Sequence, residues 1–255
     1  MVYKTLSASS ELGSLQKETH DFWERLHPIV DRAWDSHVLS AADIKPNERA
    51  AVTGHFYRHT GKRRFVDKNN QNGFCVPYLA ELFPDAIFVF ITRNPGDNIN
   101  SLMRGWRKSD EFGAWSKSLP ANVSIDGGKI TRWCFFLPES WRDYCDSSLA
   151  EVCAYQYRTI NEAIVDAGKR LPAKRFVQLK YEDILLDPVG VFRNVFERVD
   201  LNFSGSIVQH CEHVLANPYN TFSEIGVDKW RKDSDADAIA DALPTAAQIA
   251  KILGY

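Results

Sequence analysis

The sequence predicts an α/β fold, in which a parallel β-sheet is flanked by helices. Apolar segments typical of buried strands alternate with segments whose apolar residues recur at helical spacing. The chain has 255 residues, of which 44% are hydrophobic, so it can bury a substantial core. Strands that alternate with helices pair in parallel through right-handed crossovers, and this length suits a single domain over residues 1–255.

The strands are predicted from short segments that end at turn residues. Residues 87–92 are apolar at every position except the last, which is typical of a strand covered on both faces. Residues 64–67 and 175–181 are predicted as further strands. Ligands of such sheets lie beyond the carboxyl ends of the strands, so the residues that follow each strand are candidate site residues.

The helices are predicted from apolar periodicity and from residues suited to helix ends. Gly61 suits the left-handed turn past a helix end, Pro95 suits a first helical position, and Asp187 suits an N-cap. Residues 107–147 are predicted as an irregular, aromatic-rich insertion with short helices. Helices are predicted over residues 17–34, 46–59, 74–83, 95–106, 149–169, 188–198 and 244–253.

Composition argues against several classes of function. The net charge is −2, so it gives no indication of nucleic-acid binding. No apolar run reaches membrane-spanning length, and the first thirty residues lack the order of a secretion signal. Five irregularly spaced cysteines favour reduced thiols in a cytoplasm. The oligomeric state is left open.

One segment, residues 210–213, contains two histidines, a cysteine and a glutamate and could be drawn as a metal site. A second cluster of ligands is lacking, so a solvated helix face is the favoured interpretation and no metal is predicted.

A candidate anion site follows the strand at 87–92. Arg93 offers a planar fork of donors that matches a phosphate or a carboxylate. Ser101 lies eight residues later, a little over two helical turns, on about the face that looks back toward the strand. The alternative is that Arg93 pairs with Asp97 and that Ser101 is a small packing residue.

Further cationic and aromatic residues occur near the ends of the other predicted strands and near the C-terminus. Lys68 directly follows the segment 64–67, and Tyr181 ends the segment 175–181. Lys229 and Trp230 belong to the segment VDKW. Taken one by one they suit a surface lysine or a core aromatic residue. Taken together they suit an aromatic ligand with several negative charges.

Four segments of the chain carry a family resemblance: FVDK, YLAELFPDAIFVFITRNPGDNINSL, VQLKYEDILLDP, and VDKW with the terminal LGY. They resemble the sulfotransferases that use 3′-phosphoadenosine 5′-phosphosulfate (PAPS), especially their bacterial and tyrosylprotein branch. The resemblance runs in the order of the family over most of the chain from about Glu18 to Tyr255. It implies the sulfotransferase variant of the phosphate-loop NTPase fold. It also implies transfer of a sulfuryl group from PAPS to a hydroxyl or an amine.

The resemblance implies roles for the candidate residues. Arg93 and Ser101 match the residues that hold the 3′-phosphate, and Tyr181 matches a residue that contacts the nucleotide. Lys229, next to Trp230, matches a lysine near the bound cofactor, and Lys68 matches a lysine near the transferring sulfonate.

Relatives carry another arginine one turn beyond the serine. Gly105 occupies that place here, with Arg104 and Arg107 nearby, so this contact departs from the family pattern.

The general base is expected in the segment LQKETHDFW, which resembles the Glu-Thr element that carries the catalytic glutamate in the tyrosylprotein branch. Glu18 is the first candidate and His20 the second. A positioned base contributes about a hundredfold to ten-thousandfold in rate. The alternative is that Glu18 only favours a helix start.

The family's phosphosulfate loop, a basic Ser-Gly-Thr turn after a strand, is not found in this sequence. Residues 60–64 are the nearest segment, but they precede a predicted strand. We expect the first strand and this loop to lie upstream of Met1 or to have been lost, which would lower the affinity for PAPS. A non-catalytic remnant that binds adenosine 3′,5′-bisphosphate or a protein partner is therefore the alternative function. A kinase would need Gly-Lys-Ser/Thr, which is absent.

The acceptor is expected to be a carbohydrate, a lipid or a small molecule of a bacterial cytoplasm. The aromatic-rich insertion is expected to contribute to its pocket, because rings cover sugars, phenols and lipids alike. Trp133 and Trp141 could equally belong to the core.

Overall fold

The computed structural model describes residues 1–216 and 225–255, which form two strands and a series of helices. The α-helices and strands follow in the order α1 Val2–Ser7, α2 His20–Leu26, α3 Glu48–Thr60, α4 Val76–Leu82, β1 Phe88–Thr92, α5 Pro95–Trp106, α6 Ser109–Phe112, α7 Ile125–Gly128, α8 Leu149–Arg170, β2 Phe176–Lys180, α9 Tyr181–Leu186, α10 Pro188–Arg198, α11 Gly205–Glu212, α12 Ala236–Ala242 and α13 Ala247–Leu253. Short 3₁₀ helices lie at Ile29–Arg32, Ala41–Asp43, Asn70–Phe74, Ala114–Ser118, Trp141–Tyr144, Ala173–Arg175, Lys229–Lys232 and Leu243–Ala246.

The chain forms two compact units, each built from segments that are distant in sequence. The first unit comprises Met1–Trp23, Leu39–Thr92 and Ala167–Ile225, of which residues 217–224 are not described. The second unit comprises Glu24–Val38, Arg93–Asp166 and Gly226–Tyr255. A single domain over residues 1–255 stays a prediction.

The first unit contains the parallel sheet. β1 and β2 pair from Phe88 with Phe176 to Thr92 with Lys180. At the carboxyl end the buried Thr92 hydroxyl also donates to the carbonyl of Leu179 at 3.1 Å. The α/β class with a parallel sheet and flanking helices is confirmed. The strand predicted over 175–181 ends one residue early, because the next residue begins α9.

The predicted strand at 64–67 is wrong for the part of the chain that is described. Only an isolated parallel bridge between Gly13 and Phe65 forms there. Gly13 donates to the carbonyl of Arg64 at 2.8 Å and accepts from the amide of Val66 at 2.9 Å. The Arg64 guanidinium binds the carbonyls of Val199 and Asp200. The segment is thus held by one residue of its neighbour and by side-chain contacts instead of a ladder.

The core of the first unit is aliphatic and aromatic. It collects buried side chains of α1, β2, α9, α10 and α11. Burial of such residues supplies the main stabilising term, about 25 cal/mol per Å² of apolar surface. The central members are Leu6, Val177, Leu179, Ile184, Phe192, Val195 and Phe196.

The second unit is built around buried aromatic rings. The indole of Trp106 donates to Gln156 Oε1 at 2.9 Å, and that of Trp133 donates to the carbonyl of Phe136 at 2.7 Å. The indole of Trp141 donates to the carbonyl of Trp34 at 2.8 Å. All three indole rings are fully buried, so Trp133 and Trp141 belong to the core. This decides between the two interpretations that the sequence left open for them.

Most predicted helices are observed, and the strongest local signals give the best bounds. α5 and α10 begin and end as predicted, each with a proline in its first turn and a capping side chain before it. The predicted helix at 17–34 is instead divided into α2 and a 3₁₀ turn. The 3₁₀ turn ends at Arg32, because Ala33 and Trp34 adopt left-handed backbone conformations with φ of 53° and 58°.

The five cysteines carry free thiols, and all but Cys145 are buried. Burial raises the pKa of the Cys134 thiol to about 12, so this thiol stays protonated at neutral pH. Cys211 lies in the segment 210–213, where His210 Nε2 contacts Thr5 Oγ1 at 3.2 Å. Glu212 and His213 are exposed and His210 is half-buried, so the segment presents a solvated face from which only Cys211 turns inward.

Neither a metal cluster nor a membrane span is found where the structure describes the chain. Within residues 1–216 and 225–255, no group of three or more His, Cys, Asp or Glu side chains is arranged to hold a metal ion. In the same residues, no helix has both the length and the apolar composition that a bilayer crossing requires.

Candidate functional site

In the second unit, Arg93 and Ser101 point toward each other. Arg93 follows β1, Asn94 caps α5 by accepting from the amide of Asp97, and Ser101 lies two turns into the helix. Arg93 Nη1 donates to Ser101 Oγ at 3.1 Å, and both side chains are half-buried. The hydroxyl of Tyr157 donates to the carbonyl of Arg93 at 3.1 Å. Strand, cap and helix together bring a guanidinium and a hydroxyl to one place.

The start of α5 also holds the segment that carries Lys229 and Trp230. The fully buried Asp97 carboxylate accepts from the amides of Asp228 and Trp230 at 2.7 and 3.1 Å. Gly96 lets the indole of Trp230 approach, because a Cβ there would lie 2.4 Å from the ring. Trp230 is 5% exposed, whereas Lys229 is half-buried. Asp97 thus anchors the segment that carries Lys229 and Trp230.

The arginines after Ser101 bind carboxylates of the chain. Arg104 Nη2 contacts Asp233 Oδ2 at 2.7 Å, and its hydrogen bond holds the pKa of Asp233 well below the usual range. Arg107 binds Asp235 with both terminal nitrogens, at 2.6 and 2.8 Å.

Gly105 itself has no room for a side chain, because a Cβ would lie 2.4 Å from the end of the Phe135 ring. The family arginine at this place therefore has no counterpart at that position of α5.

In the first unit, Glu18, His20 and Lys68 form a cluster, which we call the Glu18 cluster. Glu18 Oε2 lies 2.5 Å from His20 Nε2, and the Lys68 ammonium binds Glu18 Oε1. The Glu18 side chain is 29% exposed, so the cluster is reachable from solvent.

Opposing effects act on the Glu18 carboxyl. Burial raises its pKa, but the hydrogen bond with His20 and the charge of Lys68 together outweigh burial and lower it to about 2. Glu18 is therefore ionised at neutral pH.

Asp67 also belongs to this region and was missed by sequence reasoning. Its carboxylate accepts from Thr19 Oγ1 at 2.5 Å and from Trp23 Nε1 at 2.9 Å. The acid stands next to Lys68 in the segment FVDK, but the donors Thr19 and Trp23 lie more than forty positions away. No local pattern reveals such a contact.

Tyr181 is the first residue of α9 and follows Lys180, the last residue of β2. Its side chain is half-buried. It thus lies at the carboxyl edge of the sheet, where the sequence placed it.

Comparison with known proteins identifies the class. The family model of the Sulfotransferase family matches residues 15–205, about three quarters of the chain, and the chain belongs to this family. The matched range includes Glu18, Lys68, Arg93, Ser101 and Tyr181. A search of curated protein sequences finds no match.

Solved structures with a similar fold are also sulfotransferases. One is the sulfotransferase STF9 from Mycobacterium avium, at 15% identity over 77% of this chain, with a TM-score of 0.50. This chain spans 43% of the STF9 chain. Another is the sulfotransferase domain of the curacin biosynthetic pathway, at 16% identity over 80% of this chain and 67% of that chain, with a TM-score of 0.47.

Proposed function

We propose that the protein transfers a sulfuryl group from PAPS to a hydroxyl or an amine of a carbohydrate, lipid or small-molecule acceptor. The observation that carries this proposal is the hydrogen-bonded pair of Arg93 and Ser101 at the start of α5. A guanidinium and a hydroxyl that converge behind a strand offer several donors to one phosphate group. Membership of the sulfotransferase family supports the reaction type.

The residues of the second unit fit an adenosine nucleotide with two phosphorylated positions. Arg93 and Ser101 would bind the 3′-phosphate, and Lys229 would bring a further positive charge. Trp230 would contribute by holding the Lys229 segment on Gly96, since its indole is almost fully buried. Tyr181, at the carboxyl edge of the sheet in the first unit, is the residue to which the family resemblance assigns a nucleotide contact. PAPS supplies the activated sulfuryl group, and the chain binds and orients it.

The Glu18 cluster fits the proton transfer that the reaction requires. A bond forms between sulfur and the acceptor oxygen or nitrogen, and the bond between sulfur and the phosphate oxygen breaks. The electron pair of the broken bond stays on the phosphate, so adenosine 3′,5′-bisphosphate leaves. The acceptor proton passes to the Glu18 carboxylate, and Lys68 neutralises charge on the sulfonate oxygens.

Lys68 links proton acceptance by Glu18 to the neutralisation of charge on the sulfonate. While Lys68 and His20 bind Glu18, its pKa of about 2 makes the carboxylate a weak base. When the ammonium turns to the sulfonate, Glu18 loses one partner and its basicity rises. Proton acceptance is thereby favoured when the donor is bound.

The test is sulfuryl transfer from labelled PAPS to a panel of sugars, phenols and lipids. We expect Glu18→Gln to lower kcat by about a hundredfold or more while adenosine 3′,5′-bisphosphate binds as tightly as before. Glu81→Gln, which changes an exposed carboxylate of α4, is the matched control and should leave turnover unchanged. His20→Gln tests the second candidate base.

Two outcomes would contradict catalysis. Nucleotide binding without transfer to any acceptor would favour the non-catalytic alternative. Failure to bind either PAPS or adenosine 3′,5′-bisphosphate would overturn the proposal altogether.

A further inference from the structure

The Asp67 carboxylate joins two segments of the first unit that are more than forty positions apart in sequence. Oδ1 accepts from Thr19 Oγ1 at 2.5 Å, and Oδ2 accepts from Trp23 Nε1 at 2.9 Å. Asn72 Nδ2 lies 3.3 Å from Oδ2. Thr19 is 3% exposed and Trp23 is 9% exposed, so the two donors are buried, whereas the Asp67 acceptor is half-buried.

Both residues that form the shorter contact, Thr19 and Asp67, are sequence neighbours of residues of the Glu18 cluster. Thr19 stands between Glu18 and His20 in sequence, and Asp67 immediately precedes Lys68. The amides of Phe22 and Trp23 also donate to the carbonyl of Thr19, at 3.0 and 3.2 Å, at the start of α2. Thr19 is therefore fixed through its backbone and its side chain at once.

The Lys68 end of the cluster is exposed to solvent. The Lys68 side chain is 44% exposed, and ion pairs at such exposure contribute little because water screens them and long side chains lose entropy. Hydrogen bonds from buried donors to an ionised carboxylate are roughly twice as strong as neutral ones. The contacts of Asp67 are thus the firmer link between the two segments.

We propose that Asp67 is a positioning residue that sets Glu18 against Lys68 and His20 by binding Thr19 and Trp23. The effect of Asp67 on turnover rests on the proposed function, in which Glu18 is the base. We call the contacts of Asp67 with Thr19 and Trp23 the Asp67 clamp. Misplacement of a catalytic group by about 1 Å can cost a hundredfold in rate, so loss of the Asp67 clamp should lower kcat. Nucleotide binding depends on other residues and should not change.

The test compares Asp67→Asn and Thr19→Val with the wild-type chain. Asn keeps the size of the side chain but replaces one acceptor oxygen with a donor, and Val removes the hydroxyl of Thr19. We expect kcat to fall about tenfold to a hundredfold in both variants, with unchanged KM for PAPS. Thr19→Ser keeps the hydroxyl and should restore most of the rate. Asp85→Asn, at an exposed carboxylate that binds only Arg49 among the described contacts, is the control.

A second readout does not depend on catalysis. In ¹³C NMR titrations of the folded protein, the Glu18 carboxyl should titrate at about 2 in the wild-type chain. In Asp67→Asn and Thr19→Val its pKa should move toward the ordinary value of 4.5, because Glu18 no longer faces Lys68 and His20.

The outcomes separate the two proposals. A moved Glu18 titration in a chain that transfers no sulfate supports the clamp and contradicts the proposed function. A folded Asp67→Asn variant with wild-type kcat and an unmoved Glu18 titration overturns the clamp. If Asp67→Asn fails to fold, Thr19→Val against Thr19→Ser decides by the same two measurements.

Discussion

At Glu18, burial and two neighbouring side chains act on one carboxyl group in opposite directions. Desolvation favours the neutral acid, whereas His20 and Lys68 favour the carboxylate, and the carboxylate prevails. The same contacts that stabilise the resting protein weaken Glu18 as a base. At Glu18, the contacts that stabilise the fold therefore also set the basicity of the carboxylate.

The lowered pKa of Glu18 predicts how stability depends on pH. A carboxyl whose pKa falls from 4.5 in the unfolded chain to about 2 in the folded one stabilises the fold above pH 4.5. This contribution, about 1–3 kcal/mol, is lost as the pH falls through that window. Glu18→Gln should lower the free energy of unfolding at pH 7, with a difference that shrinks toward pH 2. Urea unfolding at several pH values measures it, and a constant difference would contradict the prediction.

The candidate residues differ in how far the sequence could predict their contacts. Arg93 and Ser101 are eight positions apart, one just before α5 and the other two turns into it, so helical geometry predicts that they meet. Glu18 and Lys68 are fifty positions apart and were linked only through the family resemblance. The contacts of Asp67 with Thr19 and Trp23 carry no local signal, because these residues become its neighbours only when the chain folds.

At the scale of elements, local signals gave accurate bounds and long-range pairing did not. α5 and α10 carry proline, a cap and apolar periodicity within a dozen residues, and both were predicted to the residue. The segment at 64–67 has the composition of a strand, but a strand requires a partner ladder that only the fold can supply. In the structure, this segment forms a single isolated β-bridge, between Phe65 and Gly13.

The start of α5 predicts a separable effect of Asp97. Its carboxylate binds the amides of Asp228 and Trp230, so Asp97→Ala should release the segment that carries Lys229. We expect the affinity for adenosine 3′,5′-bisphosphate to fall about tenfold, which calorimetry measures, because an ordered charge is lost from the site.

Asp187→Ala provides the matched control for Asp97→Ala. Asp187 caps α10 by accepting from the amide of Gly190 at 2.8 Å, so its loss should cost about 1 kcal/mol of stability. It should leave the nucleotide affinity unchanged. Equal affinities in the two variants would show that the segment at 228–230 does not contribute to binding.

For the whole molecule, the candidate residues are distributed over both compact units. Glu18, His20, Lys68 and Tyr181 belong to the first unit, and Arg93, Ser101, Lys229 and Trp230 belong to the second. The α/β class was predictable from the alternation of segments, and the sheet is confirmed at β1 and β2. The division into these units was not predictable, because each is assembled from three separate stretches of the chain.

The central claim is that Arg93 and Ser101 bind the 3′-phosphate of an adenosine nucleotide. Calorimetry with adenosine 3′,5′-bisphosphate and with adenosine 5′-monophosphate, each on the wild-type chain and on Arg93→Ala, tests it in one thermodynamic cycle. Hydrogen bonds to charged groups contribute about 1.5–3 kcal/mol, so the wild-type chain should prefer the bisphosphate by roughly tenfold or more. Arg93→Ala should lose most of this preference while its affinity for the monophosphate is retained. An equal preference in both proteins would contradict the claim.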